Sequence, residues 1–209
     1  MRKRLRLLTS GRRRWYTPAM RERILGRIQR ALEHRFKPAL PEPLVLPGLP
    51  QAEALDLFSE RLVGNGGEVV RLEHLEAARE WLARFAQTFA GVAVGRTVPP
   101  ELHPELPVLP PEEAPLGISW ALGAVAETGT VILSSEEGRL SQLLPPAHLV
   151  FVPAGRVYAS LGEALGVLKA RLPSALGLHS GPSKSADIGQ IMVKGVHGPG
   201  RLVVALLLE

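Results

Sequence analysis

The sequence predicts an α/β layered fold, and three observations carry that expectation. Strand-like apolar runs alternate with helical patterns from residue 51 onward. The run His148-Leu149-Val150-Phe151-Val152 is apolar without alternation, as a central strand buried on both faces requires. Finally, the run Leu202 to Leu208 is too short for the roughly 20 residues that cross a bilayer and suits a buried last strand, so the chain is expected to be soluble. The basic N-terminus, with only Leu5 to Leu8 interrupted by Arg6 as its apolar stretch, falls short of a secretory signal and makes the cytoplasm the expected location.

In order along the chain, Ile24, Leu25, Ile28 and Leu32 recur at helical spacing and predict an amphipathic helix over Met20 to Arg35. Pro38, Pro41, Pro43, Pro47 and Pro50 then impose an extended linker, which lets that helix pack away from the main body. The expected organisation is therefore a basic extension over 1–19, a helix and linker over 20–50, and an α/β domain over 51–209. A helix fits Ala52 to Leu62, ending at Gly64-Asn65-Gly66-Gly67, whose glycines can close it. Strand Glu68 to Leu72, helix Leu75 to Phe89 and strand Val92 to Val94 follow. The proline-rich passage Pro99 to Pro115 is expected as a surface connection between two halves of the sheet.

Beyond it, Ile118 to Val125 and Val131 to Leu133 read as adjacent strands, Arg139 to Leu144 as a short helix, and Leu161 to Leu172 as a longer one. Ala175 to His179 reads as a strand, Ser185 to Lys194 as a helix ended by Gly195, and Leu202 to Leu208 as the closing strand.

The formal charge of +5 is unevenly placed. Residues 1–19 hold seven of the 25 basic residues and no acid, so 18 basic residues face 20 acidic ones in the remainder. Such an arm can contact phosphates of nucleic acid or anionic membrane, or be a solvated extension, and Met20 offers an alternative start. Nucleic acid is the less favoured partner, and no membrane insertion is expected. With no cysteine, the chain can form neither disulfides nor zinc–thiolate or iron–sulfur sites held by thiolates. No tight His-x-x-x-His spacing points to a metal, and no Gly-x-Gly-x-x-Gly follows a strand.

Two glycine-bearing turns concentrate the chemistry. In Gly181-Pro182-Ser183-Lys184-Ser185-Ala186-Asp187 a strand is expected to lead into a helix, whose free N–H groups and dipole would bind an anion at the carboxyl edge of the sheet. Lys184 would add a full charge, Ser183 and Ser185 would donate hydrogen bonds, and Asp187 would sit in the first turn. In Ala126-Glu127-Thr128-Gly129-Thr130, Gly129 permits positive φ, and the hydroxyls of Thr128 and Thr130 flank a carboxylate able to act as base or nucleophile. The competing assignments are a capped junction and a surface turn. His148 and His197 are harder to place: one opens an apolar strand, the other lies in Gly195-Val196-His197-Gly198-Pro199.

These segments, together with Gly138-Arg139-Leu140 and Leu143-Leu144-Pro145-Pro146-Ala147-His148, resemble the lactate-utilisation (LUD) domain in its stand-alone, cluster-free form. The resemblance is strong over about 115–209, and Met20 to Arg35 is similar to the family's opening helix. It implies a three-layer, mainly parallel fold similar to the isomerase and CoA-transferase type. It also implies a part in oxidising L-lactate to pyruvate alongside iron–sulfur partner proteins, with the cofactor of this chain unknown. The site it implies comprises Glu127 as catalytic residue and Thr128, Gly129, Thr130, Arg139, His148, Gly181, Ser183, Lys184, Ser185, Asp187 and His197 around a small anion. A free-standing acyl-transfer or isomerase-type enzyme with Glu127 as base is the alternative.

Overall fold

An uninterrupted apolar strand needs partners on both edges and cover on both faces, and Ala147–Pro153 receives all four. The computed structural model describes residues 18–33, 48–186 and 192–209. The chain divides into two units, 1–42 and 43–209. The first contains helix α1 (Pro18–Glu33), close to the expected helix.

The second unit opens with α2 (Gln51–Gly64), β1 (Glu68–Leu72), α3 (Leu75–Ala86) and β2 (Val92–Val94). It continues through β3 (Leu116–Trp120), β4 (Gly123–Val125), β5 (Thr130–Ser134), α4 (Arg139–Leu143), β6 (Ala147–Pro153), β7 (Val157–Tyr158) and α5 (Leu161–Leu168). The last elements are β8 (Leu176–His179), β9 (Lys184–Ala186), β10 (Met192–Lys194) and β11 (Arg201–Leu207).

The main sheet has the order β1-β11-β6-β3-β2 and is parallel throughout. In its register, His148 on β6 stands beside Leu202 of β11 and Gly117 of β3. Because side chains alternate along a strand, Leu149, Phe151, Val203, Ala205 and Ile118 face one way, onto Ala78 and Leu82 of α3 and the fully buried Leu102. Val150, Val152, Leu202, Val204 and Leu206 face the other way, onto Phe58 and Leu62 of α2 and Ala124, Val131 and Leu133 of a second sheet. The expected α/β architecture with a mainly parallel sheet between helices is what folds.

That second sheet, β7-β4-β5-β8, is the first departure from expectation. The apolar stretch Ile118 to Val125 is two strands, not one. Ala121 still donates its N–H to Phe151 of the main sheet (2.9 Å), while Leu122 donates to Ile132 of the small one (2.8 Å). The chain therefore changes sheets between these two residues. α5 covers the outer face of the small sheet through Ala164, against Val125 and Ile132.

The proline-rich passage also differs from expectation. It joins β2 to its neighbour β3 at one edge, and it carries the 3-10 turn Pro100–Leu102. Val92 exchanges backbone hydrogen bonds with it, donating to Pro107 and accepting from Leu109, both 2.9 Å, so the passage shields an edge that would otherwise be open.

Among the described residues, strands stand at both ends of the expected helix Ser185 to Lys194, whose middle, 187–191, lies outside them. β9 and β10 pair antiparallel, with Ser185 opposite Val193 and Lys184 opposite Lys194. Ser183 explains the extended entry: its N–H donates to Pro199 (2.8 Å) and its carbonyl accepts from Gly195 (2.9 Å), which sets the two legs side by side.

Candidate functional site

The end of α2 organises both glycine turns. Asn65 follows the helix, and its side-chain amide donates to the carbonyl of Thr128 (3.1 Å). Its own carbonyl accepts a hydrogen bond from the Lys184 ammonium. Gly129, at φ +60°, lies so close to α2 that a Cβ would stand 2.4 Å from the Leu62 nitrogen. Gly181, at φ +147°, has the Asn65 carbonyl 2.9 Å from where a Cβ would lie. Glycine is required at both positions for the chain to approach a helix terminus.

This arrangement corrects the role expected of Lys184. The Gly181 turn enters a strand, so no helix dipole begins there, and the ammonium instead meets a carbonyl at the negative end of α2. Ser185 belongs to β9, and Asp187 lies outside the described residues.

The exposed Glu127 accepts a hydrogen bond from the N–H of Leu161 (2.9 Å), the first residue of α5. Its own N–H donates to Ala159 (3.1 Å). Ser160 and Glu163 form a reciprocal cap at the same helix end, through Glu163 N–H to Ser160 Oγ (3.2 Å) and Ala159 N–H to Glu163 Oε2 (2.8 Å). The carboxylate is thus placed as a helix cap supplied from outside the helix. Its neighbours lead inward: Thr128 and Thr130 share a hydroxyl hydrogen bond of 2.7 Å, and Thr130 and Ser180 share one of 2.6 Å.

Ser180 marks the rim of a cavity of about 230 Å³. The Gly181 turn contributes Gly181 and Ser183, the loop before β11 contributes His197 and Gly198, and β8 contributes His179. Three residues expected at the site, Gly181, Ser183 and His197, therefore meet here. Its position was not expected. β8 runs antiparallel to β5 in the small sheet, so its end meets the beginnings of β6 and β11, and the cavity opens at the amino edge of the parallel sheet, opposite the expected one.

Behind the cavity is His148, fully buried, with Nε2 2.9 Å from the hydroxyl of the equally buried Ser119. Its ring meets that of His179 edge to face, with centroids 5.9 Å apart. Burial, and then the neighbouring His179, hold the His148 pKa down to about 3. Burial also lowers that of the half-buried His179. Both rings are neutral at pH 7. His148 Nδ1 has no hydrogen-bond partner, a cost of about 1–3 kcal/mol for a buried polar group. His179 carries no motif of its own. Its signal was the position immediately before Ser180-Gly181 at the end of a strand.

Arg139 is exposed at the first position of α4 and does not line the cavity. Two residues before it, Glu137 is buried at the carboxyl edge of the main sheet, accepting from the N–H groups of Thr97 (3.2 Å) and Trp120 (3.3 Å). Burial pushes its carboxyl up to about 6. A Cβ at Gly95 would fall almost on its Oε2, so glycine there makes room for the carboxylate. A larger groove of about 490 Å³ runs between α3 and Pro100–Leu106; Glu76, Glu80, Glu101 and Glu105 line it against Arg79, itself paired with Glu76, so negative charge predominates there.

The comparisons with known proteins bear on this geometry. A family model of the LUD domain matches residues 112–207, from the segment entering β3 to the end of β11. That match covers just under half of the chain. The LUD segment is similar to Lactate utilization protein C of Bacillus licheniformis, 35% identical over 96 residues that cover 42% of this chain and 40% of the relative. It is also similar to the proteins of the same name from Halalkalibacterium halodurans, 41% identical over 98 residues (43% of each chain), and Bacillus subtilis, 34% identical over 106 residues (47% of this chain, 44% of the relative). The chain thus matches less than half the length of these curated relatives. In fold, it is similar to the crystal structure of a DUF162 family protein from Deinococcus radiodurans, with TM-score 0.60 and 22% identity over 77% of this chain and 99% of that one. The cavity, both glycine turns, His148 and His179 all lie within the LUD segment.

Proposed function

We propose that this chain is a component of an L-lactate utilisation system and that its cavity holds a small anionic ligand. The relatives named Lactate utilization protein C support the first part. The second rests on one observation: the end of β8, the Gly181 turn and the Gly195–Pro199 loop, with Leu143 of α4 from elsewhere in the sequence, close around one small cavity bearing Ser183, His179 and His197. With no cysteine, this chain supplies no thiolate ligand for an iron–sulfur cluster, and iron–sulfur partners in the cytoplasm would carry that cofactor. No helix among the described residues is long and apolar enough to cross a membrane.

Deletion of the gene is expected to abolish growth on L-lactate while sparing growth on glucose, and a tagged chain purified from its own cells is expected to carry iron–sulfur proteins with it. Unchanged growth on L-lactate together with purification free of such proteins would overturn the proposal.

A further inference from the structure

The cavity is small, below the ~300–1,000 Å³ usual for drug-sized ligands, so it suits a molecule of few heavy atoms. Its lining is mixed: Leu143, Leu178 and Leu202 offer apolar contact, while Ser180, Ser183 and the two imidazoles offer hydrogen bonds. That pairing fits a short carbon chain ending in a carboxylate.

Among the described residues, such a ligand meets no fixed positive charge there. Neither Lys184 nor Arg139 lines the cavity, and Lys184 is held on the Asn65 carbonyl. A carboxylate leaving water without a partner charge is strongly disfavoured. The groups able to supply one are imidazoles. His148 comes from β6 behind the cavity, His179 from β8 and His197 from the loop before β11, while β5 presents Thr130 and Val131, and α4 presents Gln142 and Leu143. Among the described residues, no Asp or Glu lines the cavity to compete for a proton.

His148 is a poor carrier, being fully buried behind Ser119 and out of the lining. It can still assist. When its Nε2–H donates to Ser119, its unpartnered Nδ1 is a bare lone pair, and a cation on the adjoining ring is favoured. Repulsion between the two rings limits the pair to a single charge.

We propose that the cavity binds a small monocarboxylate together with one proton, carried by His179, while His148 stays neutral behind it. This rests on the proposed ligand site but not on the lactate system. Calorimetric titration of the full chain with propionate, L-lactate and pyruvate, in phosphate and in Tris at the same pH, counts the protons. Close to one proton is expected to enter per ligand at pH 7, and affinity is expected to fall up to about tenfold from pH 7 to 8. His179→Gln is expected to lose both effects. In the unmodified chain, the imidazole NMR signal of His179 is expected to titrate at higher pH when pyruvate is saturating, which needs no variant to fold. Binding without proton uptake, a His179 titration that ligand leaves unmoved, or failure of all three acids to bind would overturn the inference. If propionate bound with a proton and L-lactate did not bind, the inference would stand and the lactate assignment would fall. L-lactate binding without a proton would do the reverse.

Discussion

Replacing Glu127 separates a carboxylate that holds a helix from one that acts on a ligand. Its Oε1 accepts the Leu161 N–H at 2.9 Å, at the start of α5, where Ser160 and Glu163 already satisfy two other donors. A hydrogen bond to a charged group contributes about 1.5–3 kcal/mol when shielded, and a charge at a helix N-terminus adds about 0.3–1 kcal/mol. Glu127 is exposed, so solvent screening reduces the sum, and loss of a typical cap costs ~1 kcal/mol. Glu127→Ala is therefore expected to lower stability by about 1–1.5 kcal/mol. Glu127→Gln keeps an acceptor oxygen and is expected to cost about 0.5 kcal/mol. Urea denaturation of the three proteins measures these differences, and a parallel titration with pyruvate is expected to give the same dissociation constant for each. If Glu127→Gln kept full stability and lost ligand binding, the capping role would be refuted and the carboxylate would belong to the ligand.

Gly129→Ala is expected to cost about 3 kcal/mol in urea denaturation, from about 1–2 kcal/mol of left-handed backbone strain plus a Cβ forced against the Leu62 nitrogen; a loss under 1 kcal/mol would mean the turn does not seat on α2. Lys184→Met removes a cation from the carbonyl end of α2 and is expected to cost about 0.5–1 kcal/mol with anion affinity unchanged; a tenfold loss of affinity would restore Lys184 to the ligand. Stability is expected to be full above pH 6.5 and to fall below it by up to about 1.4 kcal/mol per pH unit, because folded His148 resists protonation down to about 3 while the unfolded chain does not. Glu137 acts in the opposite sense, since its folded carboxyl takes up a proton near 6 and the unfolded one near 4.5, giving back about 2 kcal/mol across that interval. Urea midpoints from pH 8 to 5 are thus expected to decline, more steeply in Glu137→Gln, and a flat profile would contradict the burial of His148.

Much of the fold was legible because burial writes itself into composition. The run from His148 to Val152 is a strand whose five residues are all fully buried, and Leu75 to Ala86 is helical where apolar spacing placed it. Legibility ended where two structures share one local pattern. Ile118 to Val125 is apolar throughout, and nothing in the order of residues marks Ala121-Leu122 as the change of sheet, because the cause is a choice of distant partners, Phe151 and Ile132. The Gly181 turn has the glycine, serines and lysine of a strand-to-helix junction, yet the contacts of Ser183 with Pro199 and Gly195 extend the chain instead. At the site, the motifs located Gly181, Ser183 and His197 but not His179, whose importance comes from the ring of His148 behind it.

The proposed ligand site is the cavity at the amino edge of the parallel sheet. Titration of isotope-labelled protein with pyruvate, followed by amide and imidazole NMR shifts, tests it most directly. Shifts concentrated at His179, Gly181, Ser183, His197 and Gly198, with the groove beside α3 unmoved, are the predicted result. Shifts centred on Glu101 and Glu105, or none at millimolar ligand, would contradict it.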